Sequence, residues 1–136
     1  MSLALLDVGA EKILQIYFGS EAHTIHLYVN DVIPDTTGIV YTEAPTGAPA
    51  NYVSKSIATT AFTVSIQSSI AQAACAAQVF TFNGNLGATI YGYFVKSVST
   101  SVIVFAVRLP TPYAPTLDGD ILSVTPIFQL SNGVPA

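Results

Sequence analysis

Residues 56–95, SIATTAFTVSIQSSIAQAACAAQVFTFNGNLGATIYGYFV, run for forty residues without one charged side chain. Hydrophobic residues alternate with polar ones in AFTVSIQ (61–67) and QVFTFN (78–83), and this period of two is typical of half-buried strands. The second segment runs into NGNLG, which has the composition of a turn. The stretch therefore predicts a β-rich fold whose polar strand faces carry hydroxyl and amide groups rather than ions.

Strand patterns continue on both sides of this uncharged stretch. The predicted strands are residues 23–30, 38–42, 61–67, 78–83, 89–96, 102–109 and 121–130. The segment 102–109, VIVFAVRL, is apolar on both faces up to its arginine, which predicts a central position in a sheet. The loop SVSTS joins it to 89–96 as a hairpin. Pro126 cannot donate a ladder hydrogen bond, so the last strand is expected at an edge or with a bulge.

The N-terminal segment has helical spacing instead. Apolar side chains recur at intervals of three and four and form one stripe, consisting of Leu6, Ala10, Ile13, Leu14 and Tyr17. This pattern predicts a helix at about residues 8–18. Asp7 is expected to cap its start and Gly19 to end it.

These elements together predict the fold class and the domain organisation. Six or seven short strands with one short N-terminal helix, and without alternation of strands and helices, favour a mainly β fold. We expect an antiparallel β-sandwich of jelly-roll or immunoglobulin-like kind, with a small barrel as the alternative. The 136 residues fit a single domain, residues 1–136, with one core.

The composition excludes several classes of partner. Charged residues make up 9% of the chain, against roughly a quarter in an average soluble protein, so part of the exterior is expected to be covered by other protein. Polar residues interrupt every window of the twenty or so residues that a membrane helix needs, and the N-terminal segment lacks the basic start of a secretion signal. Four scattered basic residues form no cluster for phosphates. We therefore expect neither a membrane nor a nucleic-acid partner.

The residue types that usually carry chemistry are scarce. His23 and His26 are the only histidines, and residues three apart on a strand face opposite sides, so they cannot chelate one metal together. Cys75 is the only cysteine and stands among alanines, which predicts a small packed residue rather than a reactive thiol. We expect no metal and no cofactor.

Acidic residues occur as two close pairs within turn-like segments. Asp31 and Asp35 flank Pro34, and Asp118 and Asp120 occur in LDGD. Neither pair matches a complete calcium-binding loop, and turn capping is the expected role. No nucleophile elbow and no phosphate-binding glycine loop is present. The sequence therefore predicts a protein that is not an enzyme.

Tyrosines and small hydroxyl side chains are the remaining candidates for a binding surface. Tyrosine combines apolar area with a hydroxyl group and is common at interfaces. The predicted interface residues are Tyr28, Thr63, Ser65, Tyr91 and Tyr93. Core packing is the alternative for the tyrosines. As a different class of function, Tyr28, Tyr91, Tyr93 or Tyr113 could serve as stacking platforms of a carbohydrate-binding module.

The order of several segments resembles small β-rich virion proteins of tailed bacteriophages. The resemblance rests on HLYVNDVIPDTTG (26–38), YTEAPTGAPANY (41–52), VFTFNG (79–84), ATIYGYFV (88–95) and GDILSVTPIFQLS (119–131), which together cover most of the chain. Each segment alone is common in β-sandwiches, and their order makes the match specific. The chain departs from the pattern at residues 68–77, SSIAQAACAA, where similar chains often have a tryptophan and more charges.

The resemblance implies a structural protein of the virion. We expect a capsid decoration or cement protein that stabilises the phage head, located on the capsid surface and made in the host cytoplasm. Its expected partners are the major capsid protein and copies of itself, as a homo-oligomer and specifically a homotrimer. A tail adaptor or fibre-attachment protein of the same virion is the alternative within this class.

Overall fold

The structure, a computed structural model, describes residues 5–35 and 37–130. Helix α1, Asp7–Ser20, buries Ala10, Leu14 and Phe18, which lie four residues apart on one face. The expected termini are wrong. Leu6 stands at the N-cap without a side-chain cap, Asp7 lies in the first turn, and the helix continues through Gly19. Gly19 does not have a left-handed φ, which is the conformation by which a glycine ends a helix.

Strands account for most of the regular structure, as the alternating pattern predicts. In the described residues they are β1 His23–Tyr28, β2 Lys55–Ile57, β3 Phe62–Gln67, β4 Ile70–Cys75, β5 Gln78–Asn83, β6 Ile90–Ser97, β7 Ile103–Tyr113, β8 Asp118–Val124 and β9 Ile127–Leu130. The protein is mainly β, with three antiparallel sheets and one N-terminal helix, which is consistent with a β-sandwich. The predicted fold class is confirmed.

The three sheets are arranged as one four-stranded sheet and one bent ribbon. Sheet A has the order β2-β1-β6-β7, sheet B the order β3-β4-β9, and sheet C the pair β5-β8. Strand β4 leads directly into β5, and β8 leads directly into β9. A hydrogen bond of 2.9 Å from Cys75 N to Pro126 O joins the ribbon where sheet B gives way to sheet C.

Buried side chains connect these elements into one hydrophobic cluster. Sheet A contributes Ile25, Leu27 and Val95, which are fully buried. Helix α1 packs against β3 and β4, and the Phe18 ring lies 4.4 Å from the Phe62 ring, measured between centroids. Cys75 is buried in the same cluster, as its alanine neighbours predict. Burial of the α1 stripe therefore holds the helix on sheet B.

Several strand predictions need correction. Strand β7 lies at the edge of sheet A, whereas β6 occupies the position beside it. β6 is buried along nearly its whole length, while the residues of β7 are half-buried or exposed despite their apolar character. Residues 38–42 form no strand; nearby, one isolated bridge pairs Tyr28 with Glu43. Strands β2 and β4 lie where no strand is predicted.

The predicted last strand, residues 121–130, is two strands in two sheets. β8 pairs with β5, and β9 pairs with β4. Pro126 lies between them, and its nitrogen cannot donate to a ladder. The proline therefore marks the bend of the ribbon rather than a bulge within one strand.

Candidate interaction surface

The outward face of sheet B contains no charged side chain. Ala71, Ala73 and Cys75 of β4 point inward and are buried, so the alternate residues of β4 and of its two partner strands point outward. We call this outward surface the neutral face. Its residues are Thr63, Ser65, Gln67, Ile70, Gln72, Ala74, Ile127 and Gln129.

Amide and hydroxyl groups dominate the neutral face. Gln129 Nε2 donates to Gln72 Oε1 at 3.4 Å, and Gln67 Nε2 donates to Ser65 Oγ at 3.1 Å. Thr63 is exposed and Ser65 is half-buried, so both are accessible as an interface residue must be. The register places Ser65 opposite Gln72 and Thr63 opposite Ala74. The structure therefore brings two of the predicted interface residues together on one surface.

Tyr28 and Tyr93 are not available for contact, which corrects their prediction as interface residues. Tyr28 is 0% exposed and Tyr93 is 4% exposed. Tyr28 points away from the core, but the loop after β1 covers it, with the Tyr41 ring 5.0 Å away. Tyr93 points into the core, where its hydroxyl donates to Thr125 O at 3.3 Å and burial raises its pKa to about 12.

Tyr91 does not form a shared exposed face with Tyr93. The register of β6 on β7 shifts between Ile90 and Gly92, which breaks the alternation that the prediction assumed. Tyr91 is half-buried, and the Arg108 guanidinium carbon lies 5.4 Å from the centroid of its ring. Tyr113 is also half-buried, with its ring 6.5 Å from that of Phe82. These positions do not provide the row of exposed rings that a glycan platform needs.

Charged side chains are concentrated away from the neutral face. In the described residues both ion pairs connect sheet A to the loop that follows β1. Arg108 Nη2 lies 2.6 Å from Asp31 Oδ1, and Arg108 Nη1 donates to Val32 O at 2.9 Å. His26 Nδ1 lies 2.7 Å from Glu43 Oε1. The loop is thereby held on the outward side of sheet A, which we call the charged side because both ion pairs lie there.

His26 belongs to a hydrogen-bonded chain that has the order of a hydrolase triad. Glu43 Oε1 lies 2.7 Å from Nδ1, and Thr24 Oγ1 lies 2.7 Å from Nε2. Thr24 lies in β1, which pairs with β2 and β6 there, so the nearby backbone amides belong to the sheet and do not form an oxyanion hole. The Phe94 ring stacks on the imidazole at 5.0 Å. We interpret these two hydrogen bonds as a structural contact that fixes Glu43 to β1.

His23 lies on the opposite face of β1, as the spacing of the two histidines predicts. It is fully buried between the Phe18 and Phe62 rings, with Nε2 3.2 Å from the Tyr17 hydroxyl. Burial lowers the pKa of His23 and outweighs the opposite effect of Glu21. Ser97 is the cross-strand partner of His23 on β6, and its Oγ donates to Glu21 Oε2 at 2.6 Å. The imidazole is therefore neutral at pH 7 and serves packing.

Asp120 serves the backbone, and the described residues hold no cluster of metal ligands. Asp120 Oδ2 accepts hydrogen bonds from the backbone nitrogens of Thr116 at 2.8 Å and Leu117 at 3.0 Å, which confirms turn capping for this residue and lowers its pKa. Across residues 5–35 and 37–130, no group of three or more His, Cys, Asp or Glu side chains could hold a metal ion. In the same part of the chain, α1 is neither long nor apolar enough to cross a membrane.

Two clefts flank β7. One, of about 570 Å³, lies between Ile103–Ala106 and the loop that contains Tyr41; it offers a single carboxylate, Asp35. The other, of about 260 Å³, is lined by apolar residues of α1, β7 and β9. Neither cleft combines an acid, a base and a nucleophile. The neutral face is therefore the best-defined candidate site of the described chain.

Sequence reasoning missed the middle strand of this surface, β4. Residues 68–77 are rich in alanine and contain a single β-branched residue, Ile70, so β propensity gives no signal there. The turn before β4 is formed by Ser68 and Ser69, both with positive φ, instead of the Asn-Gly pair that usually marks a hairpin. The alternation of buried and half-buried residues in β4 becomes visible only in the fold.

Comparisons with protein-family models, with curated proteins and with solved structures found no match for this chain.

Proposed function

We propose that this protein is a structural protein of a tailed-phage virion, a capsid decoration or cement protein that binds the major capsid protein and copies of itself. The observation that carries the proposal is the neutral face, a three-stranded surface without charge on a chain of net charge −4. The segment order described above supports the phage assignment, and the trimer remains its expected oligomer.

The physical argument concerns desolvation. An interface that buries charges must pair each of them well, because an unpaired buried charge is far more costly than a buried amide or hydroxyl. Gln72, Gln129 and Ser65 can exchange water for hydrogen bonds with a neighbour and leave no ion unpaired. Ile70 and Ile127 add apolar area to the same surface. Such a face suits permanent attachment to a protein lattice.

The test is binding to phage heads assembled without this protein. Gln72→Lys places one charge at the centre of the neutral face, on the strand between β3 and β9. We expect head binding to weaken at least about tenfold, since burying one unpaired charge costs more than 1.4 kcal/mol. Thr42→Lys, at an exposed position on the charged side, is the matched control and should bind like the parent protein.

Equal head binding by Gln72→Lys and the parent would refute the neutral face as the attachment surface.

The number of copies per virion distinguishes a decoration protein on the head from a protein of the tail. Hundreds of copies fit a decoration protein, whereas about a dozen or fewer fit a tail adaptor or fibre-attachment protein, as the symmetry of heads and tails requires. A carbohydrate-binding module is the less favoured class because Tyr28 and Tyr93 are buried.

A further inference from the structure

Strand β3 has a free edge. It is the outer strand of sheet B, and no other described strand pairs with its far side. Ser68 and Ser69 form a two-residue loop, so Gln67 and Ile70 are the closing pair of the β3-β4 hairpin. Hydrogen-bonded pairs then recur at every second residue. The backbone groups of Phe62, Val64 and Ile66 therefore point away from β4, toward the free edge.

Every other sheet edge in the described chain carries a feature that hinders pairing with another strand. Such features include short length, charge, proline and bulges. Two edge strands are short: β2 has three residues including Lys55, and β9 has four residues and follows Pro126. Two edge strands are irregular: β5 between Thr81 and Asn83, and β7 opposite Val95 and Lys96; β7 also contains Pro110 and Pro112. The remaining edge strand, β8, contains Asp118 and Asp120.

β3 has none of these features. All six of its residues pair with β4 without a register shift, and the strand contains neither a charge nor a proline. Thr63, Ile66 and Gln67 are exposed. An unprotected, regular and neutral edge is a template for another strand. The contrast with the other edges makes the β3 edge the candidate for pairing with another strand.

We propose that β3 pairs antiparallel with β3 of a second copy, with the two-fold axis at Val64. This register places Val64 opposite itself, Phe62 opposite Ile66, and Thr63 opposite Ser65. It uses the backbone groups of all three edge-facing residues and keeps the inward and outward faces matched, which a shift by one residue would destroy. The two copies of sheet B then form one continuous six-stranded sheet.

The side chains along β3 favour a second copy as the occupant. The net charge of −4 makes two copies repel one another, and a contact through β3 adds no charge to that repulsion. At β3 the facing residues are neutral and self-complementary. Val64 meets an equal apolar side chain, and Thr63 meets the hydroxyl of Ser65, which is a favourable cross-strand pair. The neutral face continues across the axis.

This contact deepens the proposed function, because it rests on the proposed binding between copies and names the strand that mediates it. An isologous edge contact produces pairs, so it would link neighbouring trimers in a trimeric coat. It can be tested with purified protein in the absence of capsids. Failure of head binding and failure of β3 pairing are therefore separate results.

The first test is disulfide trapping in a Cys75→Ala background. Thr63 and Ser65 of opposite copies form a non-hydrogen-bonded pair, with Cα atoms about 4.5 Å apart, which suits a disulfide. Two copies of the same residue are diagonal neighbours at about 7–8 Å, too far for an unstrained bridge. We expect a mixture of Thr63→Cys and Ser65→Cys proteins to form a covalent dimer on mild oxidation, and each variant alone to form little.

Two results would overturn the proposal. One is a mixture that gives no more covalent dimer than the separate variants. The other is a parent protein that sediments as a monomer at high concentration. The readout is the dimer band on a non-reducing gel, with mass spectrometry of the linked peptide as confirmation. Both variants replace accessible hydroxyl residues, so neither depends on a core substitution.

The second test removes one edge-facing backbone donor. Val64→Pro deletes an N–H that points away from β4, a position where an edge strand tolerates proline. We expect self-association to weaken about tenfold or more by analytical ultracentrifugation, with the circular dichroism spectrum unchanged. Val64→Ala keeps the N–H and trims the same side chain, so it should retain self-association. Parent-like self-association of a folded Val64→Pro protein would overturn the proposal, whereas the disulfide test does not depend on this variant.

Discussion

At the residue scale, Gly92 is required by the ring of Tyr28. The two residues are direct neighbours across the β1-β6 ladder. A Cβ built at Gly92 would collide with three atoms, the backbone oxygen of Val107 and the hydroxyl oxygen and Cε1 of Tyr28. The Tyr28 side chain is fully buried and has no room to move away. Glycine here makes room for an aromatic ring beneath the covering loop.

We therefore predict that Gly92→Ala destabilises the protein by about 2–3 kcal/mol or more, the range expected for overpacking against backbone and a buried ring. Urea unfolding followed by circular dichroism measures this change. Gly19→Ala is the control because nothing lies within 4 Å of a Cβ at that helical position. It should raise stability by about 0.5–1 kcal/mol. A neutral Gly92→Ala would show that β6 and Tyr28 can separate at little cost.

His23 couples stability to pH in the range just below neutrality. Its pKa lies below the ordinary histidine value of about 6.5 because burial disfavours the charged imidazole. The unfolded chain therefore takes up a proton before the folded one does. Above the unfolded pKa both states are neutral and nothing is lost. As pH falls through about 6.5 toward the lower folded pKa, protonation favours the unfolded state and stability decreases.

We predict a lower urea midpoint at about pH 5 than at about pH 7.5. His23→Phe should reduce this difference, since a phenyl ring among Phe18 and Phe62 does not titrate. Phe62→Leu, which loosens the same cluster but keeps the imidazole, should retain it. If His23→Phe shows the same pH dependence as the parent protein, another group is responsible.

Residue patterns predicted side-chain direction better than exposure. Strand periodicity correctly placed His23 and His26 on opposite faces of β1. It could not predict that Tyr28, on the outward face, is covered, because the covering side chain Tyr41 comes from a loop. Thr63 and Ser65 are accessible as predicted because no such loop covers sheet B among the described residues.

At the element scale, the β3-β4 hairpin forms against its local propensity. Ser68 has a φ of 48° and Ser69 a φ of 62°. A non-glycine residue in this left-handed region costs roughly 1–2 kcal/mol, yet two positive φ values are what a two-residue hairpin loop needs. The ladder of β4, paired on both sides, supplies the compensating stability.

We predict that replacing Ser68-Ser69 with Asn-Gly stabilises the protein by about 1 kcal/mol, because the new residues adopt these angles at lower cost. Thermal unfolding should shift upward. Ala-Ala at the same positions keeps the unfavourable φ values and serves as the control, with no gain expected. Equal midpoints for the Asn-Gly and Ala-Ala proteins would contradict the idea that backbone strain limits this turn.

Element boundaries also show where local signals fail. β7 is apolar on both faces and was predicted to be central, but apolarity does not fix a strand's neighbours. One face of β7 is partly covered by the loop that contains Tyr41, and the other borders α1 and β9. Strand order depends on which edges find partners, and this is a property of the whole sheet.

At the scale of the whole molecule, the outward face of sheet B differs from the rest of the surface because it carries no charge. Sheet A carries the two ion pairs and the loop they hold, while sheet B presents only neutral side chains outward. The uncharged residues 56–95 are thus divided between core and surface, and part of their surface share forms the neutral face.

The sequence by itself determined the class of fold, because a period of two over several segments has no low-energy solution other than half-buried strands. It also determined that the outward groups of these strands are neutral. Only the tertiary structure decided that β4 joins β3 and β9, that Tyr28 and Tyr93 are buried, and that β3 keeps a regular free edge. These features depend on contacts between residues distant in the chain, such as Ala73 with Phe128, and local patterns do not encode such pairings.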